Sequence, residues 1–310
     1  MHVAVTGSSG LIGSALLAFL TSGGHTVARL LRRSPHGDQE IAWDPQGGTV
    51  DSEGLRGVDA VIHLAGEGIG ERRWSEEQKR RILDSRVKGT GLIARTLAEM
   101  DEGPRTLICA SAIGYYGAHR GEEILTEESR SGDGFLAEVC RQWEGAADPA
   151  RNAGLRVVHV RTGIVQSPKG GQLGKQLPLF RLGMGGKLGT GRQWQSWITL
   201  DDTLGIYQHA LATPDLEGPI NATAPNPVTN AEYTQVLGRV LGRPTLFTVP
   251  KFAPALLLGS EGADQVAFAG QRVLPARAEA TRYTFRFPDL EGGLRHVLGV
   301  STPRGRIAGW

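Results

Sequence analysis

Three groups of residues in this 310-residue chain have types and spacings that could do chemistry. The first is Thr6-Gly7-Ser8-Ser9-Gly10-Leu11-Ile12-Gly13, whose glycines recur at every third position. Gly7 permits a sharp turn, Gly10 lets a pyrophosphate approach bare backbone, and Gly13 lets a new helix pack close to the strand before it. With Thr6, Ser9, Leu11 and Ile12 around the glycines, the N–H groups and dipole at the helix start would bind phosphate. The second group is Arg32-Arg33, about where a dinucleotide site carries the residue that reads the adenosine ribose. A carboxylate there suits a 2′-hydroxyl and guanidinium groups suit a 2′-phosphate, so NADP is expected rather than NAD. Asp38 and Glu40, the nearest acids, come after Pro35 and Gly37 and are read as too late to serve. The third group is Ser111 with Tyr115 and Tyr116. A phenol can exchange a proton with a substrate hydroxyl or carbonyl, and a serine can hydrogen-bond the same oxygen. A phenol with pKa near ~10 is a poor base unless assisted, and Arg161, at a later strand end, is the candidate neighbouring charge. The other reading is that both tyrosines pack beneath the reactants and move no proton.

The elements that must position these groups follow in order. His2 to Thr6 is a short apolar strand, Leu11 to Leu20 has helical apolar spacing, and His25 to Leu31 is a second strand. Asp59 to Gly66 reads as a buried strand whose small final residues, Leu64, Ala65 and Gly66, would let a cofactor pass closely. His63 within it is read as a core histidine, and Glu67 as a hydrogen-bond acceptor in the cofactor loop or an acid/base group. Ser75-Glu-Glu-Gln78 is a capping box opening a helix to about Met100. Thr106 to Ser111 is a strand, Gly134 to Asn152 a helix and Leu155 to Thr162 another strand. Strands alternating with helices predict an α/β fold, a doubly wound parallel sheet, over residues 1–165. From Pro168 glycines crowd the chain. Arg192, Trp194 and Trp197 fall in a loop and short strand suited to a substrate wall, to which Arg161 is also assigned. Asp201-Asp202 is read as the cap of a helix, and residues 200–225 as a return to the first domain. Residues 166–199 and 226–310 would then form a smaller substrate-side domain, ending in an amphipathic helix from Leu290 to Leu298.

Composition narrows the partners. Basic and acidic residues nearly balance at +2, and no basic stripe marks a nucleic-acid site. No apolar run reaches the ~18 residues of a membrane span, so neither nucleic acid nor membrane is expected, and a small-molecule substrate is. No metal-ligand spacing stands out. Cys109 and Cys140 are too few for a disulfide framework and fit a reducing, cytoplasmic setting.

Taken together, Thr6 to Gly13, Asp59 to Gly66, Ser111-x-x-x-Tyr-Tyr-Gly117 and Trp197-Ile-Thr-Leu-Asp-Asp202 resemble the extended short-chain dehydrogenase/reductases, the NAD(P)-dependent epimerase/dehydratase group. Leu64-Ala-Gly-Glu67, Arg72-Arg-Trp74, Ser85-Arg86, Gly114-Tyr-Tyr116 and Trp143-Glu144 are similar to an atypical "epimerase family protein" subgroup with a small C-terminal module. The resemblance implies NADP binding, with Leu64, Ala65 and Arg86 touching the cofactor. It also exposes a departure. The wider group uses Tyr-x-x-x-Lys, the lysine lowering the phenol's pKa and holding the ribose. Here the slots fall on Phe135 and Val139 in one register and on Leu136 and Cys140 in the next, and neither contains a tyrosine or a lysine. The expected function is an NADP-binding oxidoreductase or epimerase-like enzyme with a reduced catalytic set. The alternative is a regulatory binding protein that senses the cofactor.

Overall fold

The computed structural model describes residues 1–301. The first half alternates as expected, through β1 (His2–Thr6), α1 (Leu11–Ser22), β2 (Thr26–Leu31), β3 (Glu40–Asp44), β4 (Thr49–Val50), β5 (Ala60–His63), α2 (Glu76–Glu99) and β6 (Thr106–Ala112). It continues through β7 (His119–Leu125), α3 (Phe135–Gly145), α4 (Asp148–Asn152), β8 (Arg156–Thr162), β9 (Ile164–Gln166), α5 (Gly171–Arg181), β10 (Gly186–Leu188), β11 (Trp194–Gln195) and β12 (Trp197–Thr199). The remainder is α6 (Leu200–Ala212), β13 (Gly218–Ala222), β14 (Val228–Thr229), α7 (Asn230–Leu241), β15 (Phe247–Val249), α8 (Phe252–Gly262), β16 (Gly270–Val273), α9 (Ala276–Ala280) and α10 (Leu290–Leu298).

The main sheet has eight strands in the order β13-β8-β6-β5-β1-β2-β3-β4. Every neighbouring pair is parallel except β3 with β4. The inner strands are near-continuous apolar runs because helices cover both faces. Val3, Val5, Ile62, Ile108 and Val160 pack with α1 and α6 on one face, and Ala4, Val61, Leu107 and Val157 with α2 and α4 on the other. The chain winds from β1 outward to β2 and β3, then returns to place β5 on the other side of β1. The strand order therefore reverses between β1 and β5, which opens a crevice at their C-terminal ends.

Local chemistry moves several boundaries. The strand expected to run to Gly66 ends at His63, because the N–H groups of Leu64 and Ala65 turn to the Thr6 hydroxyl. The helix expected from Gly134 to Asn152 is two helices, the second carrying Pro149 in its first turn, where the missing N–H is tolerated. The helix after β12 is capped by Thr199, whose Oγ1 accepts from the Asp202 N–H, and not by Asp201-Asp202. Asp202 is fully buried and accepts from the Tyr283 hydroxyl and from the backbone of Arg286 and Phe287.

A second core forms where Leu173, Leu177 and Phe180 of α5 meet Tyr233 and Leu237 of α7, Leu290 and Leu294 of α10, and Trp197. The C-terminal stretch is not one satellite. β16 pairs with β7, α9 packs on β13, and Ala278, Tyr283 and Phe285 join the main core. The stretch 226–310, which the sequence assigns to the smaller substrate-side domain, is thus divided between both cores, and its last residues lie outside those described.

Candidate functional site

The glycine turn is built for close approach. Gly7 has φ +64°, and a Cβ there would stand 2.8 Å from the backbone of Leu64 and Ala65. At Gly13 a Cβ would lie 2.2 Å from the Gly7 carbonyl oxygen, so helix α1 can sit where it does only with glycine. Gly10 precedes α1 without any side-chain cap, which leaves the first N–H groups of the helix free for an anion.

Thr6 couples this turn to the neighbouring strand. Its Oγ1 accepts from Leu64 N (3.0 Å) and Ala65 N (3.2 Å) and lies 2.8 Å from His63 Nδ1. With both lone pairs used, the hydroxyl proton goes to Nδ1, which fixes His63 as the Nε2–H tautomer. Burial holds His63 neutral, its pKa pushed down to about 4, in keeping with a core histidine.

A cleft of about 860 Å³ runs from this turn, lined among others by Gly7, Ser9, Arg32, Trp43, Ala65 and Glu67. The two arginines separate here. Arg33 is drawn out of the site, donating to Glu40 Oε2 (2.8 Å) and Oε1 (2.7 Å). Sequence reasoning set Glu40 aside as too late, yet β3 pairs with β2 and brings it back beside Arg29 and Arg33. The Arg33 hydrogen bonds and the His36 N–H hold the Glu40 carboxyl down at about 2. Arg32 lines the cleft and makes no hydrogen bond among the described residues, which leaves one free guanidinium where two were expected.

The opposite wall is tied to α2. Glu67 donates its N–H to Ser85 Oγ (3.0 Å), and its carboxylate accepts from Gln78 Nε2 (3.3 Å). Gln78 therefore does not complete the expected capping box with Ser75, although Ser75 still caps Gln78 N. Arg86 donates to the Glu67 carbonyl (2.9 Å), lies 4.8 Å over the Trp143 ring, and abuts Gly66.

Helix α3 turns the two candidate slot pairs toward different surroundings. Phe135 stacks edge-on against Trp74, and Val139 is buried with Trp74 and Ile82, away from the sheet end. Leu136 and Cys140 face Gly114, whose Cβ would be 3.4 Å from Leu136 Cβ and 3.7 Å from Cys140 Sγ. These are the residues beside the end of β6, and both are apolar in character: burial pushes the Cys140 thiol up to about 12.

The polar groups nearby form an inward network. Ser111 Oγ donates to Glu144 Oε1 (2.7 Å), and Arg161 grips the same carboxylate through Nε (2.9 Å) and Nη2 (2.8 Å). Arg161 Nη1 also donates to the Tyr116 hydroxyl (3.1 Å), which donates to Asn221 Oδ1 (2.8 Å). Burial alone would raise the Glu144 carboxyl, but the Arg161 hydrogen bonds and charge leave it below its usual range.

Four expectations are corrected by burial. Tyr116 is fully enclosed, its phenol pushed up to about 12 by burial, so it cannot exchange protons with a substrate in the cleft. Arg161 is 3% exposed and belongs to the network, not to a substrate wall. Trp197 is also fully buried, its Nε1 donating to the Asn226 carbonyl, because the second core closes around it. Ser111 is likewise buried with its proton committed to Glu144.

Tyr115 remains half-buried with Arg161 stacked 3.4 Å over its ring. Trp194 is partly exposed, donates to Glu122 (3.0 Å) and lies under Arg272, while Arg192 is exposed. Besides setting Glu40 aside, sequence reasoning gave no role in the site to Asn221 or Gln265. Gln265 Oε1 accepts from Leu136 N (3.0 Å), capping α3 from the C-terminal module. Only Glu144 had left a signal, within Trp143-Glu144.

A reversing parallel sheet with a glycine turn and an uncapped helix start at its switch point defines a dinucleotide-binding α/β protein. Comparison narrows the class: residues 3–222 match the NAD dependent epimerase/dehydratase family, and the chain belongs to it. Residues 249–297 match a domain of unknown function, DUF1731. An epimerase family protein of Mycobacterium bovis is 44% identical over 302 residues, covering 97% of this chain and 98% of its own. Human epimerase family protein SDR39U1 is 36% identical over 301 residues, covering 96% and 100%. The crystal structure of human SDR39U1 (isoform 2) with NADPH superposes with a TM-score of 0.87 at 34% identity, covering 96% of this chain and 99% of that one.

Proposed function

We propose that the chain binds NADP(H) and acts as an oxidoreductase or epimerase-like enzyme on a small polar substrate, with one phenol in place of the usual proton-transfer pair. Arg32 carries this reading. It is a guanidinium in the cleft with no hydrogen-bond partner among the described residues, and the neighbouring carboxylate of Glu40 is already spent on Arg29 and Arg33. A 2′-phosphate suits that environment and a bare 2′-hydroxyl gains little from it. The human relative solved with NADPH supports the same choice.

The residues fit the cofactor. The free N–H groups of α1 and the bare backbone at Gly7 and Gly10 would hold the pyrophosphate, and Arg32 the 2′-phosphate. Leu64, Ala65 and Gly66 would form the wall along which it lies, with Glu67 and Arg86 keeping that wall against α2. When bound, the cofactor supplies or accepts a hydride. Tyr115, near the C-terminal end of β6 with Arg161 stacked over its ring, would hold the proton that must accompany it. Ser111 and Glu144 fix Arg161 in place. Both cysteines are buried and unpaired, which supports a reducing compartment such as the cytoplasm.

Fluorescence titration with NADPH and NADH tests the assignment. Arg32→Ala is expected to weaken NADPH by roughly ten- to a hundredfold, the loss of one charge-assisted contact, and NADH by less than about twofold. Equal weakening of both would remove the 2′-phosphate assignment.

A second reading, a cofactor-dependent regulatory protein, is favoured by the apolar pair Leu136 and Cys140 and by the Gln265 cap that closes the same helix end. NADPH binding without oxidation across a panel of carbonyl compounds and sugar nucleotides would support it.

A further inference from the structure

The cleft beside the glycine turn has a charged wall on the side of α2. Glu77, Arg80, Arg81, Asp84, Ser85 and Lys88 line it, recurring at three- and four-residue steps, the spacing of a single helix face. The other walls are the glycine turn, the ends of β2 and β5 and the turn between β3 and β4. Strand β6, which leads to Tyr115, lies on the far side of β5. This cleft is therefore the half of the crevice that would hold the adenosine end of a dinucleotide.

On that wall Arg80 is left over. An arginine on a helix pairs with acids one turn away, and for Arg80 these are Glu76, Glu77 and Asp84. Each is already engaged, Glu76 with Lys79 (3.4 Å), Glu77 with Arg81 (2.6 Å) and Asp84 with Lys88 (2.7 Å). Arg80 makes no hydrogen bond or ion pair among the described residues, so it and Arg32 are the two cations lining the cleft that lack a carboxylate there. Arg33, which the sequence offered as the second guanidinium, is held away by Glu40.

We propose, in an inference that rests on the NADP(H) reading, that Arg80 is the second guanidinium of the 2′-phosphate subsite, supplied from α2 while Arg32 comes from the end of β2. It is a specificity-determining residue that no spacing around the glycine turn announces. The charge of the ligand calls for it. A phosphate monoester carries about −1.5 to −2 at pH 7, so one guanidinium leaves roughly one charge uncompensated and a second compensates it. The same pair selects against NAD, whose adenosine ribose presents only hydroxyls and offers neither arginine a charge-assisted bond. Both side chains reach solvent, so the gain is screened by salt.

Fluorescence titration of the full chain with NADPH and NADH, and displacement of NADPH by adenosine 2′,5′-bisphosphate, test the proposal. Arg80→Ala is expected to weaken NADPH and the bisphosphate about five- to tenfold and NADH by less than about twofold. The retained NADH affinity shows that the variant is folded. Arg80→Lys should recover part of the loss, because the charge remains while the planar fork does not. With Arg32→Ala added to Arg80→Ala, NADPH should bind no more tightly than NADH. Equal weakening of NADPH and NADH by Arg80→Ala would put Arg80 at another part of the dinucleotide, and unchanged NADPH binding would put it outside the site; either result overturns the proposal. In both cases a selective loss in Arg32→Ala alone would leave the NADP(H) reading standing, and the absence of that selective loss would remove the reading as well.

Discussion

Tyr115 and Tyr116 are adjacent in the chain and opposite in environment. Tyr116 accepts from Arg161 and donates to Asn221 inside the protein, so Tyr116→Phe should lower unfolding free energy by about 1–3 kcal/mol, the penalty for partners left unsatisfied. Tyr115→Phe should abolish NADPH turnover and shift stability by less than about 0.5 kcal/mol. Urea melts and a carbonyl-reduction assay separate the two, and full turnover in Tyr115→Phe would end its role as proton donor. Two histidines give the protein an acid limit. Burial holds His63 and His159 at about 4, against an ordinary 6.5. Below 6.5 the unfolded chain takes up protons that the folded chain refuses, so stability falls as pH drops from 6.5 toward 4, by up to roughly 3 kcal/mol per histidine. The carboxyls whose pKa is lowered, Glu40 and Glu144 among them, act only below 4.5. The interval above that belongs to the histidines, and a flat urea midpoint between pH 7 and pH 5 would contradict this account.

At the scale of elements, the junction of β1, α1 and β5 carries the most consequence per atom. Gly13→Ala would place a methyl group 2.2 Å from the Gly7 carbonyl, backbone against backbone, where no side-chain rotation relieves the clash. The helix must move, at about 1–3 kcal/mol for overpacking, and its N–H groups move with it. NADPH binding is therefore expected to fall by more than the stability loss implies, measured by titration well below the melting temperature. Helix α3 depends on a distant residue in a similar way. Gly134 offers it no side-chain cap, so Gln265 supplies one, and Gln265→Ala should destabilise the protein by about 1 kcal/mol.

At the scale of the molecule, the C-terminal segment is part of the first core. Ala278 is fully buried in the main core, on the helix that packs against β13, and Asp202 is satisfied by Tyr283, Arg286 and Phe287. Removing residues 249–301 would uncover that core and leave the buried Asp202 carboxylate short of donors. Calorimetry of the full chain should show one transition with equal van't Hoff and calorimetric enthalpies, and a chain ending at 248 should not fold. A stable folded fragment would show that the module is an independent domain.

Local pattern determined much of this protein. Period-two and period-3.6 apolar spacing, glycine spacing and the order of strands and helices were enough for the parallel sheet and the glycine turn. Those signals lie within a few residues of one another, which is the range over which backbone preference acts. Tertiary structure alone decided which side chains remain available. Glu40 reaches Arg33 only because β3 pairs with β2, Trp197 is core only because α5, α7 and α10 close on it, and Tyr116 is sealed by Asn221 from the far edge of the sheet. Exposure and ion pairing are properties of neighbours distant in sequence, so no spacing along the chain could have distinguished Arg32 from Arg33 or Tyr115 from Tyr116.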